Sequence, residues 1–556
     1  MKESGSEMAM IHNKRILGDL SSWMFYIMIL LAVSMPLSEF GMSISQFLLL
    51  GLWVYEGADF NILTSEKGLA RHISIVRSNL ADKFHRAFHN RALLVFLSIY
   101  IIHVAGLLYT SDFNYALRDL RVKLPLLSLP VLFATSKALD FKRFNTLLLF
   151  FCLSVIFATL VSYYVLFNKH ISDPREISVF ISHIRFALLI CIAIFILVNF
   201  LNSKVYTSSS SKILIVGAIV WLIVFLAVLK SLTGIIISIL LGFSLIVLFI
   251  TKHKRFIIPA IITFIIIICA GWYYINDIYK NITVAQKLDL QTIDKFTALG
   301  NPYSHDTVHY GIEHGAYVGS YLSVKELRES WNKRSSMDYD GLDKKGQQLS
   351  YTLIRYLHSK GYRKDAEGVN KLGAEDIYQI ENGVANADYL DHFNIKARID
   401  QMLLGYRSYH NENEPNASSL MQRIEYWKTS FYLIGQKPLL GYGTGDLDIA
   451  FTNAYYDTHS KLEPEYRHRS HNQFLAITIA FGIVGLLVFL FALIYPPLYL
   501  NKFKNYYYFI FFIVAVISFL TEDTLETQAG ATFFAYFSAL LLFSIGKDVD
   551  EKALLG

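Results

Sequence analysis

Apolar and charged positions along the chain are sorted into blocks rather than mixed. Long uncharged runs alternate with short polar gaps, as in a chain divided between lipid and water. Twelve runs are long and apolar enough to be read as spanning helices: 21–37, 41–56, 92–109, 122–136, 145–167, 178–201, 213–229, 231–250, 256–276, 473–500, 507–520 and 531–545. The weakest are 122–136, which holds Pro125 and Pro130, and the short 507–520. Lys230 divides the seventh run from the eighth. The pattern predicts an all-α polytopic membrane protein with about twelve transmembrane helices. It divides into an N-terminal membrane domain (1–276), a large polar loop domain (277–472), C-terminal membrane helices (473–545) and a short tail (546–556).

The loop domain carries its own helical periodicity. Segment 344–360 puts Leu349, Leu353, Tyr356 and Leu357 on one face and stops at Gly361. Segment 388–407 aligns Leu390, Ile399, Met402, Leu403 and Tyr406, and 419–436 aligns Leu420, Ile424, Trp427 and Phe431 ahead of Pro438. No alternating runs of strand length occur, so the domain is expected to be mostly helical.

Lys and Arg set the orientation. They collect in gaps 57–91 (Lys67, Arg71, Arg77, Lys83, Arg86, Arg91), 137–144 (Lys137, Lys142, Arg143), 251–255 and 501–506, which are read as cytoplasmic together with 202–212. The intervening gaps are poorer in cations: 38–40 carries Glu39, and 521–530 carries Glu522, Asp523 and Glu526. Both termini fall inside and 277–472 falls outside.

Composition narrows the classes further. The 556 residues are 54% hydrophobic and 17% charged, with mean hydropathy +0.38. That is too apolar for a soluble enzyme, a disordered chain or a secreted disulfide scaffold. A net charge of +6 does not point to nucleic acid. Cys152, Cys191 and Cys269 all lie inside apolar runs, which reads as small core residues rather than a disulfide framework. The basic opening MKESGSEMAMIHNKR precedes no cleavage-like pattern, so the first run is read as a retained helix.

Three clusters could carry chemistry. In RHRSHNQFLAITIAFGIVG, His471 and Asn472 stand where a basic stretch enters the tenth run. A helix N-terminus disfavours a cation, so a neutral imidazole able to accept a hydroxyl proton is expected there; a plain polar cap is the alternative. His468 and His471 are three apart, but no further ligand pattern supports a metal. In SHIRFALL, counting from Ile177 puts Arg185 about 12 Å into the sixth run, where a guanidinium needs a polar partner and suits phosphate; a shorter span would leave it at the interface. Arg423 flanks the apolar stripe of 419–436, and the glycines of GYGTGD (Gly441, Gly443, Gly445) could form an anion nest or a plain turn. Arg469, His183, Lys123 and Glu526 are possible supporting groups.

Together, SHNQFLAITIAFGIVG, RIEYWKTSFYLIGQKPLLGYGTGD, HIRFALL and the long loop before the last helices resemble the O-antigen ligase and polymerase superfamily of polytopic glycosyltransferases. The resemblance runs from about residue 92 to 545 and implies a GT-C-like arrangement in the bacterial inner membrane with a periplasmic loop domain. It implies transfer of a glycan from an undecaprenyl-pyrophosphate carrier to an acceptor such as lipid A–core, without metal or other cofactor and with inversion. Arg185 and Arg423 match its pyrophosphate-holding arginines and His471 its essential histidine, as base or as positioning group. Polymerisation of O-antigen or capsule repeats and transfer to protein stay open within the superfamily. Outside it, a transporter of lipid-linked sugars competes, although the repeated halves common in transporters are missing from the sequence.

Overall fold

A computed structural model describes residues 20–55, 68–168, 177–202, 206–229, 232–252, 257–285, 293–390, 395–416 and 418–553. Lys67, Lys230, Lys254 and Arg255 lie outside them. Two compact units form, one from 1–246 with 423–556 and one from 247–422.

The first unit is helical. Its first helices are α1 (Leu20–Ser34), α2 (Glu39–Tyr55), α3 (Gly68–His89), α4 (Arg91–Ala105), α5 (Phe113–Lys123), α6 (Pro125–Thr135), α7 (Phe141–Asn168), α8 (His183–Asn202), α9 (Ser209–Val228) and α10 (Leu232–Lys252), whose end enters the second unit. The chain returns to the first unit in α17 (Ser419–Gln436), α18 (Leu447–Asp457), α19 (Gln473–Tyr499), α20 (Tyr506–Thr521), α21 (Gln528–Phe543) and α22 (Lys547–Lys552). Within it α21 packs on α6, α19 on α4, and α20 on α8. Phe96, Phe511, Phe519, Phe534 and Phe537 meet edge-to-face or stacked at their core.

Six helices among the described residues are long and apolar enough to cross a membrane: Arg91–Tyr109, Phe141–Asn168, His183–Asn202, Ser209–Val228, Ile262–Thr283 and Gln473–Tyr499. Shorter apolar helices cover Ser22–Ser34, Gly234–Ser244, Tyr506–Thr521 and Gln528–Phe543. The outward sides of these helices are as apolar as the inward ones. On α7, Phe150, Leu153, Phe157 and Leu160 are exposed while Phe151, Cys152, Val155 and Ala158 are buried. Such all-round apolarity needs lipid outside. The chain is a membrane protein.

Three expectations are corrected. Run 122–136 breaks at Leu124, where the ring of Pro125 starts an 11-residue α6. Run 178–201 is helical from His183, so Arg185 is the third residue of α8 and lies about 3 Å along it, not 12 Å. Run 473–500 is interrupted at Gly482, whose φ of 64° and ψ of −165° are not helical.

The second unit holds α11 (Ile257–Thr283), two short antiparallel strand pairs and four further helices: β1 (Ser304–Asp306) with β4 (Gly319–Leu322), β2 (Ile312–Glu313) with β3 (Ala316–Tyr317), then α12 (Val324–Asn332), α13 (Leu349–Ser359), α14 (Ala366–Asn370) and α15 (Ala374–Glu381). α16 (Ile395–Glu412) packs on α11. The strands are two to four residues long, too short for period-two patterning to show them in the sequence. The stripe Leu349, Leu353, Tyr356, Leu357 is buried as expected, and Gly361 ends that segment with φ 69°. On α16, Ile399, Met402 and Leu403 are half-buried and Tyr406 is exposed.

Candidate functional site

Residues 470–473 and 520–526 meet where α19 begins and α20 ends. Asn472 caps α19: its side chain accepts from Leu475 N at 3.1 Å, and its Nδ2 donates to Leu520 O at 3.0 Å. Gln473 accepts from Leu525 N at 2.7 Å and donates to Glu526 at 3.2 Å. These bonds lock the two helix ends together and fix the residue before the cap. Asn472, a possible supporting group, is thus a structural one. His471 itself adopts φ 44°, a left-handed conformation that a side-chain-bearing residue keeps only when its surroundings enforce it.

Side chains of α17 and α18 hold the approach to His471. Tyr426 donates to Tyr466 O at 2.8 Å, Trp427 to Ser470 O at 3.1 Å, and Tyr455 to His468 O at 2.5 Å. Apart from Trp427, this face of α17 is not the predicted stripe. Leu420 and Phe431 are exposed, whereas Met421, Tyr426, Ser430 and Leu433 are buried.

Glu522 is the junction of the site. One carboxylate oxygen pairs with Arg423 Nη2, and the other lies 2.9 Å from His471 Nδ1. Asp523 Oδ1 lies 4.0 Å from the same nitrogen. Burial disfavours the imidazolium, and Arg423 opposes it too. The Glu522 hydrogen bond and the charges of Asp523 and Glu522 outweigh both and raise the His471 pKa above its usual value. Two carboxylates that the sequence reading had not placed there thus oppose the helix N-terminus, which by itself disfavours the imidazolium. Burial pushes Asp523 up, as do Glu526 and Glu522, while His471 pulls it down.

Arg185 completes the cluster. Glu39, Glu522 and Asp523 lie near enough for their charges to act on its guanidinium. It makes no hydrogen bond or ion pair among the described residues. It lines a narrow, otherwise apolar cleft with Met35, Met42, Leu189, Thr524 and Phe533. Arg423 and His471, far apart in sequence, thus meet at Glu522, and Arg185 lies within charge–charge reach of the same acidic pair. His183 opens α8 two residues before Arg185.

The other expected supporting residues belong to a buried ion network beside this site. Lys123, 1% exposed, contacts Asp119 at 2.5 Å and Glu526 at 2.8 Å. Arg469 reaches Glu526 at 3.4 Å and Asp448 at 2.9 Å and lies over the Tyr115 ring. Burial alone would raise Glu526, but Lys123 and Arg469 hold it well below the usual carboxylate range. Lys123, Glu526 and Arg469 therefore satisfy one another.

The GYGTGD glycines serve packing rather than an anion nest. Tyr442 N and Gly443 N donate to Ile479 O and Ala480 O at 2.9 and 2.8 Å, and Ile483 N donates to Pro438 O at 2.8 Å. Residues 438–443 thereby supply the hydrogen bonds that the break at Gly482 takes from α19. A Cβ on Gly482 would lie 2.1 Å from Leu439 C.

His471, Glu522 and Asp523 offer ligand atoms within 4.8 Å of one another. A cation there would take the Glu522 oxygen and the Nδ1 lone pair that the imidazole proton now occupies, while Arg423 holds the other Glu522 oxygen.

Residues 386–490 match the family described as O-Antigen ligase. That segment holds Arg423 and His471, while Arg185 and Glu522 lie outside it. No curated protein matches the chain. Glu522 was missed by sequence reasoning. The signal available was its place in the one short outer gap holding three acids, which drew attention to Glu526 instead.

Proposed function

We propose that this member of the O-antigen ligase superfamily is a membrane glycosyltransferase acting on undecaprenyl-pyrophosphate-linked glycan, and specifically a ligase that transfers it to a hydroxyl of lipid A–core. The observation that carries the reading is the cluster of Arg185, Arg423 and His471 around Glu522, inside a chain whose 386–490 segment matches that family. The protein is placed in the inner membrane with about twelve spans, and with 277–472 and the site facing the periplasm, on the distribution of Lys and Arg across its gaps.

The acceptor oxygen attacks the anomeric carbon from the side opposite the pyrophosphate, inverting it. The bond from that carbon to the pyrophosphate oxygen breaks as the new glycosidic bond forms. The acceptor proton passes to His471, and the undecaprenyl pyrophosphate leaves as an anion. Arg185 is free to bind that anion, and Arg423 can exchange one Glu522 oxygen for a phosphate oxygen. In this reading two guanidinium groups meet the leaving charge, and no metal is required.

Deletion of the gene is expected to leave free lipid A–core and full-length carrier-linked polymer. Plasmid-borne wild type should restore the ligated product, and His471→Ala should not, at equal protein level in the membrane. Restoration by His471→Ala would overturn the assignment. Single repeats on the core of the deletion strain would favour the polymerase, and sugar movement without a new glycosidic bond would favour the transporter.

A further inference from the structure

We infer that Glu522 is a positioning residue for this transfer, setting which nitrogen of His471 faces the acceptor. The inference rests on the transfer reading above and adds a residue that neither the resemblance nor the matched segment assigns.

A carboxylate accepts hydrogen bonds and cannot donate them, so the Glu522 oxygen 2.9 Å from Nδ1 requires the proton of the neutral imidazole to sit on Nδ1. The lone pair then lies on Nε2, which has no partner among the described residues. Nε2 is thus the atom able to take a proton from a hydroxyl. The second Glu522 oxygen is held by Arg423, so the carboxylate cannot rotate away from the ring without breaking an ion pair. The Asn472 cap fixes the left-handed backbone from which the ring projects. The groups facing His471 are Glu522 and Asp523 after α20, Arg423 and Tyr426 on α17, and His468 in its own segment. As the acceptor proton arrives on Nε2, the imidazolium forms against the Glu522 carboxylate. The glycosidic bond closes while the carbon–oxygen bond to pyrophosphate opens, and the proton is later lost to water.

A structural ion pair and a tautomer-setting residue differ in their response to Glu522→Gln. Glutamine keeps the size and can still accept from Arg423, but toward Nδ1 its amide donates. That moves the neutral ring's proton to Nε2 and removes the acceptor. The full-length protein is assayed in lipid nanodiscs with carrier-linked polymer and lipid A–core extracted from the deletion strain. Glu522→Gln is expected to lower kcat by about 10²–10⁴-fold, the scale of a wrong-tautomer loss, with the donor KM changed by no more than about threefold. Glu522→Asp, which keeps an acceptor-only group, is expected to recover activity to within about tenfold of wild type. Wild-type kcat in Glu522→Gln beside an inactive His471→Ala would overturn this inference and leave the transfer reading standing. An active His471→Ala would instead sink the transfer reading. If Glu522→Gln does not fold, the ¹⁵N imidazole spectrum of wild type, taken at a pH where His471 is neutral, decides: resonances lost in His471→Gln should show an unprotonated Nε2 and a protonated Nδ1, and the reverse pattern overturns the inference.

Discussion

The imidazole of His471 sits between opposing fields: the partial positive charge at the start of α19 and the Arg423 guanidinium against the carboxylates of Glu522 and Asp523. The carboxylates win because one is in hydrogen-bond contact at 2.9 Å, whereas a helix end is worth a fraction to about 1 kcal/mol. A base must be neutral to accept a proton, so a raised pKa moves the onset of activity upward. The expected outcome is that kcat/KM rises with pH through a midpoint above the ordinary histidine value of about 6.5. The same shift acts oppositely on folding: the imidazolium's contribution to stability is full below the ordinary pKa and fades as pH rises through the raised one. A pH–rate profile in nanodiscs with its acidic limb centred below about 6 would contradict the arrangement. The functional atoms of this site were legible in the sequence as residue types, since an arginine in an apolar run and a histidine at a helix entry each demand an explanation. Their electrostatics were not, because Glu522 lies 51 positions beyond His471 and its approach depends on the Asn472–Leu520 and Gln473–Leu525 bonds.

At the scale of elements, apolar runs located the helices well and their interruptions poorly. The start of α19 and the whole of α17 fall where periodicity puts them, and the Leu349–Leu357 stripe is buried as read. The break at Gly482 escaped because its cause is not local. A hydropathy window averages across one glycine, while the lost helical bonds are replaced from Pro438–Gly443, about 40 residues upstream in the same chain. Gly482→Ala is therefore expected to be severe. The left-handed backbone costs about 1–3 kcal/mol for a side-chain-bearing residue, before the added carbon meets the Leu439 backbone. Gly217→Ala, in α9 with open space around its Cα, should stay within about 1 kcal/mol of wild type and serves as the control. Thermal unfolding in detergent, followed by fluorescence-detected size exclusion, distinguishes them. Equal midpoints for the two variants would refute the account of the kink.

Across the first unit, one ionic network, buried at Lys123, Asp119 and Glu526 and exposed at Asp448, ties together segments that the sequence keeps far apart: α5 through Asp119 and Lys123, α18 through Asp448, the approach to α19 through Arg469, and the turn after α20 through Glu526. None of this is readable from a single run, because each charge alone resembles an ordinary flank of an apolar helix. Its energetic logic is asymmetric. Forming a buried pair repays little beyond its desolvation, but removing one partner strands the others in a low-dielectric interior. Lys123 holds two carboxylates at once, so Lys123→Met, which keeps much of the volume, is expected to cost about 3–5 kcal/mol of stability. Burial already raises the Asp119 pKa to about 6 against the pull of Lys123, so loss of the ammonium should drive that carboxylate further toward the protonated form. Adding Asp119→Asn and Glu526→Gln to Lys123→Met removes the stranded charges and should recover part of the loss, even though every ion pair to Lys123 is then gone. That recovery separates stranded charge from simple loss of contacts. If the single variant unfolds at the wild-type temperature, or the triple variant is less stable than the single one, the network does not hold the segment before His471 in the way its geometry indicates.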